Sequence, residues 1–324
     1  MLKIILLGIG FLVLIFHQYV SPISSETQFI LFLIGIILLG IPHGAADLLV
    51  AMQNNDFKNK QENKIKDFSK INFFINYLAR LGVFGVIIWF FPLFGNLLFI
   101  IFAAYHFGET DLLMFRKDNF LGKLLVVTYG MLIISTILLC HIEETVPTLQ
   151  LLSSDAQNNK KIIEWLTQNG YFVLIFMFVI FFVNFFLYTL THKIDKNEDR
   201  NDIKNFFLRL ALILLIVSQI PMILGFTFYF VMWHSVLSLQ NIVNYLRKDN
   251  IFPISLIIKQ IGIYSLLAML GIALFGALAF TFIHQNAIIT NAAIVYVFMG
   301  LAVLTAPHMQ IMHDMYKNMK NYAS

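Results

Sequence analysis

The chain has 324 residues, of which 59% are hydrophobic and only 12% charged. A soluble domain carries about 25% charged residues, and no stretch of soluble-domain length separates the apolar runs here, so an ordinary cytosolic globule is excluded. The net charge of +4 does not point to nucleic acid, because the basic residues sit in short segments between apolar runs, which is the pattern of membrane topology.

A bilayer-spanning helix needs roughly 20 apolar residues. Ten segments qualify in chain order, at about 2–20, 28–52, 71–91, 96–115, 122–140, 171–191, 205–221, 223–246, 259–283 and 288–312. The first begins at Lys3 and has no small-x-small cleavage site before Ser21 and Pro22, so it reads as a retained helix and not a cleaved signal. Residues 53–70 read as a charged, solvated loop. The third and fourth spans are parted only by a turn around Pro92 and Gly95, and the seventh and eighth meet at Pro221 and Gly225; if those pairs are counted differently, eight or nine helices result. The segment 141–170 is the sizeable connection on the opposite face. Its residues 158–168 suit an amphipathic helix at the headgroups, with Trp165 as the anchor.

The charges set a direction. With the N-terminus cytoplasmic, the loops after the even-numbered spans should be basic. They hold Lys58 to Lys70, then Arg116, Lys117 and Lys123, then Lys193 to Lys204, then Arg247, Lys248 and Lys259, then Lys317 and Lys320. Twenty of the 22 basic residues fall on that side, counting Lys3, Arg80 and Arg209 at helix ends; Lys160 and Lys161 are the exceptions. The expected architecture is therefore an all-α polytopic bundle of about ten helices. It forms a single membrane domain over residues 1–324, with both termini cytoplasmic.

Ionisable side chains inside hydrocarbon cost about 2.5–3.5 kcal/mol each and need a partner or a purpose. The second span carries Pro42-His43-Gly44 and, one turn on, Asp47. The fourth carries His106-Phe107-Gly108, with Glu109 on the histidine's face and Asp111 displaced from it. The eighth carries Trp233-His234-Ser235, with Ser238 one turn below, and the tenth carries Pro307-His308 and then His313. His106, His234 and His308 lie 10, 13 and nine residues before the basic residues Arg116, Arg247 and Lys317, and His43 lies 13 before Asp56. At 1.5 Å per residue these offsets place all four at roughly 14–20 Å from the cytoplasmic charges, in one layer on helices that run the same way.

Imidazole is the commonest protein metal ligand and suits iron, copper and zinc. Its second ring nitrogen usually donates to a carboxylate or carbonyl, a role open to Asp47 and Glu109. Gly44 and Gly108 leave space beside the ligands for close helix packing or substrate, and Pro42 and Pro307 each free a carbonyl one turn earlier. A single intramembrane histidine is more often a packing residue than a ligand, which is the reading for His17, His141, His192 and His284 at helix ends. The shared depth and the paired carboxylates set His43, His106, His234 and His308 apart as candidate ligands.

Pro42-His43-Gly44 with Asp47, His106-Phe107-Gly108 with Glu109 and Asp111, Trp233-His234-Ser235, and Pro307-His308-Met309 resemble the signatures of the Brp/Blh family of bacterial and archaeal membrane β-carotene 15,15′-dioxygenases. The resemblance runs from about residue 36 to 315. It implies Fe(II) held by histidines and O2-dependent cleavage of the central double bond of β-carotene into two retinals, with a microbial rhodopsin as a common consumer. It carries His43, His106 and His234 over as metal ligands. Where well-known members have a second histidine one turn after the third motif's first, this chain has Ser238, a poor iron ligand. His308, at the same depth, is the favoured replacement, with Asp47, Glu109, Asp111 and Ser238 as supporting residues around the metal. Two other classes use the same residues: a haem-binding membrane electron carrier, and an ion-coupled transporter. The sequence has neither the histidine-box clusters of membrane desaturases nor a glycine-rich dinucleotide loop.

Overall fold

The structure, a computed structural model, describes residues 1–63, 67–115, 119–152, 157–191, 198–247, 253–283 and 289–321. Lys64, Lys66, Arg116, Lys117, Lys193, Lys196, Lys248, His192 and His284 lie outside the described residues. Among those described there is no strand. The helices are α1 (Leu2–Val20), α2 (Ser25–Glu62), α3 (Lys70–Phe90), α4 (Pro92–Asp111) and α5 (Phe120–Leu139), α6 (Ile142–Leu152), α7 (Gln157–Thr191) and α8 (Glu198–Gln219), α9 (Met222–Arg247), and α10 (Ile254–Ile283) and α11 (Ile289–Asn321). The ten long ones correspond to the ten expected spans; α6 is an additional short helix. Eight of them, α1–α5, α7, α9 and α10, are apolar and long enough to cross a membrane among the described residues. The chain is an all-α polytopic helix bundle.

Local chemistry sets the helix ends. Ser69 and Asn119 accept hydrogen bonds from the backbone N–H groups of Asn72 (3.3 Å) and Gly122 (2.8 Å), capping α3 and α5. Pro92 opens α4 directly after the break at Phe91, a position where its missing N–H is harmless. Asn63, at φ 49°, ends α2 in the left-handed conformation that asparagine tolerates.

Two expectations need correction. Residues 53–62 are not loop: α2 runs on to Glu62, and it does so because Gln53 and Phe57 are buried on one face of the extension. Residues 158–168 are not a separate interfacial helix: α7 is continuous for 35 residues from Gln157. It starts in the polar segment and carries on into the apolar run without a breaker.

The chain divides into two compact units, Met1–Leu33 with Ala103–His234, and Ile34–Phe102 with Ser235–Ser324. In the first, α5 packs along α7, and α8 packs against α1 and α5. Its core includes an aromatic group in which Phe206 contacts Phe115 and Tyr129 at ring-centroid distances of 5.2 and 5.8 Å. α4 and α5 touch backbone to backbone: a Cβ at Gly108 would lie 2.1 Å from the Val126 carbonyl oxygen, and one at Gly130 would lie 2.0 Å from that of Ala104. In the second unit, α11 packs on α2 and α3, and α10 on α2 and α9. Val50, Ile242, Met312 and Met315 are buried at its centre. Beside them Tyr245 donates to Asn54 Oδ1 (2.8 Å), which also accepts from Asn318 (2.9 Å), tying together α2, α9 and α11. Large apolar side chains such as Trp89, Phe172, Phe176 and Leu266 stand exposed, as surfaces covered by lipid require.

Candidate metal centre

Each unit buries one pair of the candidate histidines. In the first, His106 and His234 meet edge to face with ring centroids 4.6 Å apart. In the second, His43 and His308 do the same at 4.6 Å. All four are buried.

His234 closes a π-helical stretch, Thr227–His234, within α9. A second such stretch, Ile36–Gly40, lies just ahead of Pro42 and His43 in α2. A π turn takes in extra residues, and so re-aims the side chains that follow it; such turns occur often at functional sites. Around the first pair the walls are aromatic. Phe107 lies 4.6 Å from the His234 ring, and Phe230 stacks on it at 6.2 Å with an interplanar angle of 10°.

Hydrogen bonds fix two of the imidazoles. His43 Nδ1 donates to the carbonyl of Gly40 at 2.9 Å, and His308 Nδ1 donates to Asp47 Oδ1 at 2.7 Å. A carbonyl or carboxylate oxygen only accepts, so each Nδ1 carries the hydrogen. The lone pair of each neutral ring then resides on Nε2, the form in which imidazole binds a metal. Asp47 therefore serves the histidine of α11, 261 residues away, and not His43 on its own helix face. The Gly40 carbonyl supplies the bond that His43 needs. Asp47 also accepts from the hydroxyl of Tyr77 on α3 at 3.1 Å, a residue that the sequence reading passed over.

Glu109 is buried and accepts from Tyr105 one turn before it on α4. Asp111 sits apart from the His106 face, as its spacing implies. Its carboxylate takes the hydroxyls of Tyr129 (2.8 Å) and Tyr229 (3.0 Å) and the indole N–H of Trp233 (3.0 Å). Tyr229 and Trp233 belong to the π stretch that ends in His234, so Asp111 grips the segment from which that histidine hangs. Lys3 and Arg209 line a small cavity beside the same carboxylate. Ser238 is fully buried in α9, one turn beyond His234, and its hydroxyl meets no hydrogen-bond partner among the described residues.

The glycines beside the ligands divide. Gly108 is filled by the α5 backbone, whereas a Cβ at Gly44 would meet nothing within 4 Å. The other histidines are structural where described. His17 Nδ1 accepts from the N–H of Ile23 (3.0 Å), and His141 Nε2 donates to the Val217 carbonyl (3.0 Å). His313 is half-buried on α11.

Buried imidazoles, two of them held with the hydrogen on Nδ1, are nitrogen donors of the kind that suits iron, copper or zinc. A family model described as beta-carotene 15,15'-dioxygenase matches residues 34–316, a range that contains all four histidines. No curated protein matches the chain, and no solved structure does.

Proposed function

Because the chain belongs to the beta-carotene 15,15'-dioxygenase family, we propose that it cleaves the central double bond of β-carotene with O2, giving two molecules of all-trans-retinal. Each new aldehyde receives one oxygen atom, so O2 is fully consumed and no other reductant is required. The proposed centre is Fe(II) held by His43, His106, His234 and His308. The family match over residues 34–316, a range that contains all four motifs, is the observation that carries the reading. The common depth of the histidines in the sequence and their burial in pairs support it.

Iron supplies the redox chemistry that activates oxygen towards the alkene. The residues do the rest. Gly40 and Asp47 hold the imidazole tautomers of His43 and His308. Neutral imidazoles add no charge of their own in a low-dielectric layer. Phe107 and Phe230 give apolar, water-excluding surroundings to His234. The open side of Gly44 leaves room beside His43 for a polyene. The substrate is a hydrocarbon dissolved in lipid, and it reaches such a site from the bilayer. We place the chain in the cell's inner membrane with both termini cytoplasmic, from the charge asymmetry of the loops. A retinal-binding membrane protein such as a microbial rhodopsin is the proposed consumer.

Expression in a β-carotene-accumulating bacterium tests the reading. Loss of colour with retinal in the extract is the expected result, and it should disappear for His106→Ala. Unchanged β-carotene alongside folded, iron-loaded protein would refute it. A Soret band in the purified protein would favour a haem carrier instead.

A further inference from the structure

The bond between His308 and Asp47 leaves the second oxygen of a buried carboxylate to be satisfied. A charged group at such a site is costly if half of it goes unmet. The Tyr77 hydroxyl meets it, donating to Asp47 Oδ2 at 3.1 Å while His308 Nδ1 donates to Oδ1 at 2.7 Å. The terminal torsion of an aspartate is broad and turns easily. With one donor on each oxygen, from α3 and from α11, the carboxylate plane has two anchors and the torsion is held. The direction in which Oδ1 meets the His308 N–H is then fixed, and with it the plane of the imidazole and the line of its Nε2 lone pair. Metal ligands need their supporting shell held within about 0.5 Å and 10–20°.

We propose that Tyr77 is a positioning residue for the metal ligand His308, acting through Asp47. The proposal rests on the iron reading above and deepens it: it gives His308, which stands in for the histidine replaced by Ser238, a two-residue support reaching from one helix to another. All three residues lie in the second unit. Tyr77 touches neither metal nor substrate in this role.

The test is a double-mutant cycle on the full chain in lipid nanodiscs, stripped of metal and titrated with cobalt(II), whose visible absorption reports both affinity and ligand geometry. The four proteins are wild type, Tyr77→Phe, His308→Ala and the double variant. Tyr77→Phe keeps the ring and removes one hydroxyl, so folding is preserved; an unchanged melting profile before metal is added checks this. Outer-shell partners of metal-bound histidines typically contribute 10–100-fold in affinity. Tyr77→Phe should therefore weaken cobalt binding about tenfold and shift the absorption band. In the His308→Ala background the same change should alter neither. Equal weakening in both backgrounds, or none in the wild type, would overturn the proposal. Retinal formation is scored separately. A coupled cycle without retinal refutes the dioxygenase reading and leaves Tyr77 as positioned here. Retinal formation with an uncoupled cycle refutes the Tyr77 assignment alone.

Discussion

Replacing Gly108 or Gly130 with alanine asks whether backbone contact between α4 and α5 sets the position of His106. The added Cβ atoms would stand 2.1 Å from the Val126 oxygen and 2.0 Å from the Ala104 oxygen. A carbon approaches a carbonyl oxygen no closer than about 3.3 Å in comfort, so either substitution drives the helices apart by more than about 1 Å at the crossing. A gap of 0.5–1 Å already forfeits a quarter to a half of the dispersion energy of facing atoms. The obstructing atoms are backbone and cannot rotate aside. Overpacking of this kind costs about 1–3 kcal/mol, and alanine's higher helix propensity returns up to about 1 kcal/mol. The net expectation is a loss of about 1–2 kcal/mol for each variant.

Gly44→Ala is the contrast, because its Cβ meets nothing within 4 Å and its stability should stay within about 0.5 kcal/mol of wild type or rise. The assay is thermal unfolding in nanodiscs followed by tryptophan fluorescence, with metal content measured on the same samples. Both crossing variants should melt early and retain less metal, including Gly130→Ala, whose helix carries no ligand. If Gly130→Ala melts with the wild type while Gly44→Ala falls, the close approach does not govern this part of the fold.

Two further outcomes follow from individual hydrogen bonds. Asp111→Asn replaces a carboxylate that accepts from three donors by one oxygen and an NH2 group that faces donors, so it should destabilise by about 1–2 kcal/mol and broaden the cobalt(II) spectrum through His234. Wild-type stability and spectrum would show that the grip on Tyr229 and Trp233 is incidental. Glu144 on α6 accepts from the N–H of Met222, the first residue of α9, at 2.9 Å. Glu144→Ala should lose about 0.5–1 kcal/mol of thermal stability as a missing cap, whereas Glu144→Gln, which keeps an acceptor, should match the wild type.

The helices were legible because lipid demands a long apolar run for each, and the loops' lysines and arginines gave the count a check. The histidines were legible because a polar residue in such a run is conspicuous. Tyr77, Tyr129 and Tyr229 were not: a tyrosine in an apolar helix reads as one more aromatic, and only the tertiary structure reveals which hydroxyl faces a carboxylate. The pairing of Asp47 with His308 was hidden for a related reason. Helical spacing ranks neighbours on one helix, and His43 was the nearer candidate, but the π stretch before it and the Gly40 carbonyl satisfied it locally. The π stretches escaped as well, since spacing arguments assume 3.6 residues per turn throughout. The extension of α2 to Glu62 was missed because its charged composition outweighed the two buried residues, Gln53 and Phe57, that hold it.

The donors given to the acidic groups have a consequence for the proposed chemistry. Asp47 is served by a tyrosine and a histidine, Glu109 by a tyrosine, and Asp111 by two tyrosines and a tryptophan. A lysine or arginine partner would neutralise a carboxylate permanently, and its field would oppose a cation bound nearby. At Asp47 and Glu109 the donors are phenol and imidazole N–H groups, which bring no fixed positive charge with them. In a low-dielectric layer an added positive charge would matter more than it does in water, because charges there are poorly screened. The tyrosines thus supply hydrogen-bond donors to buried acidic side chains without adding a cation that would compete with a metal ion at the proposed centre.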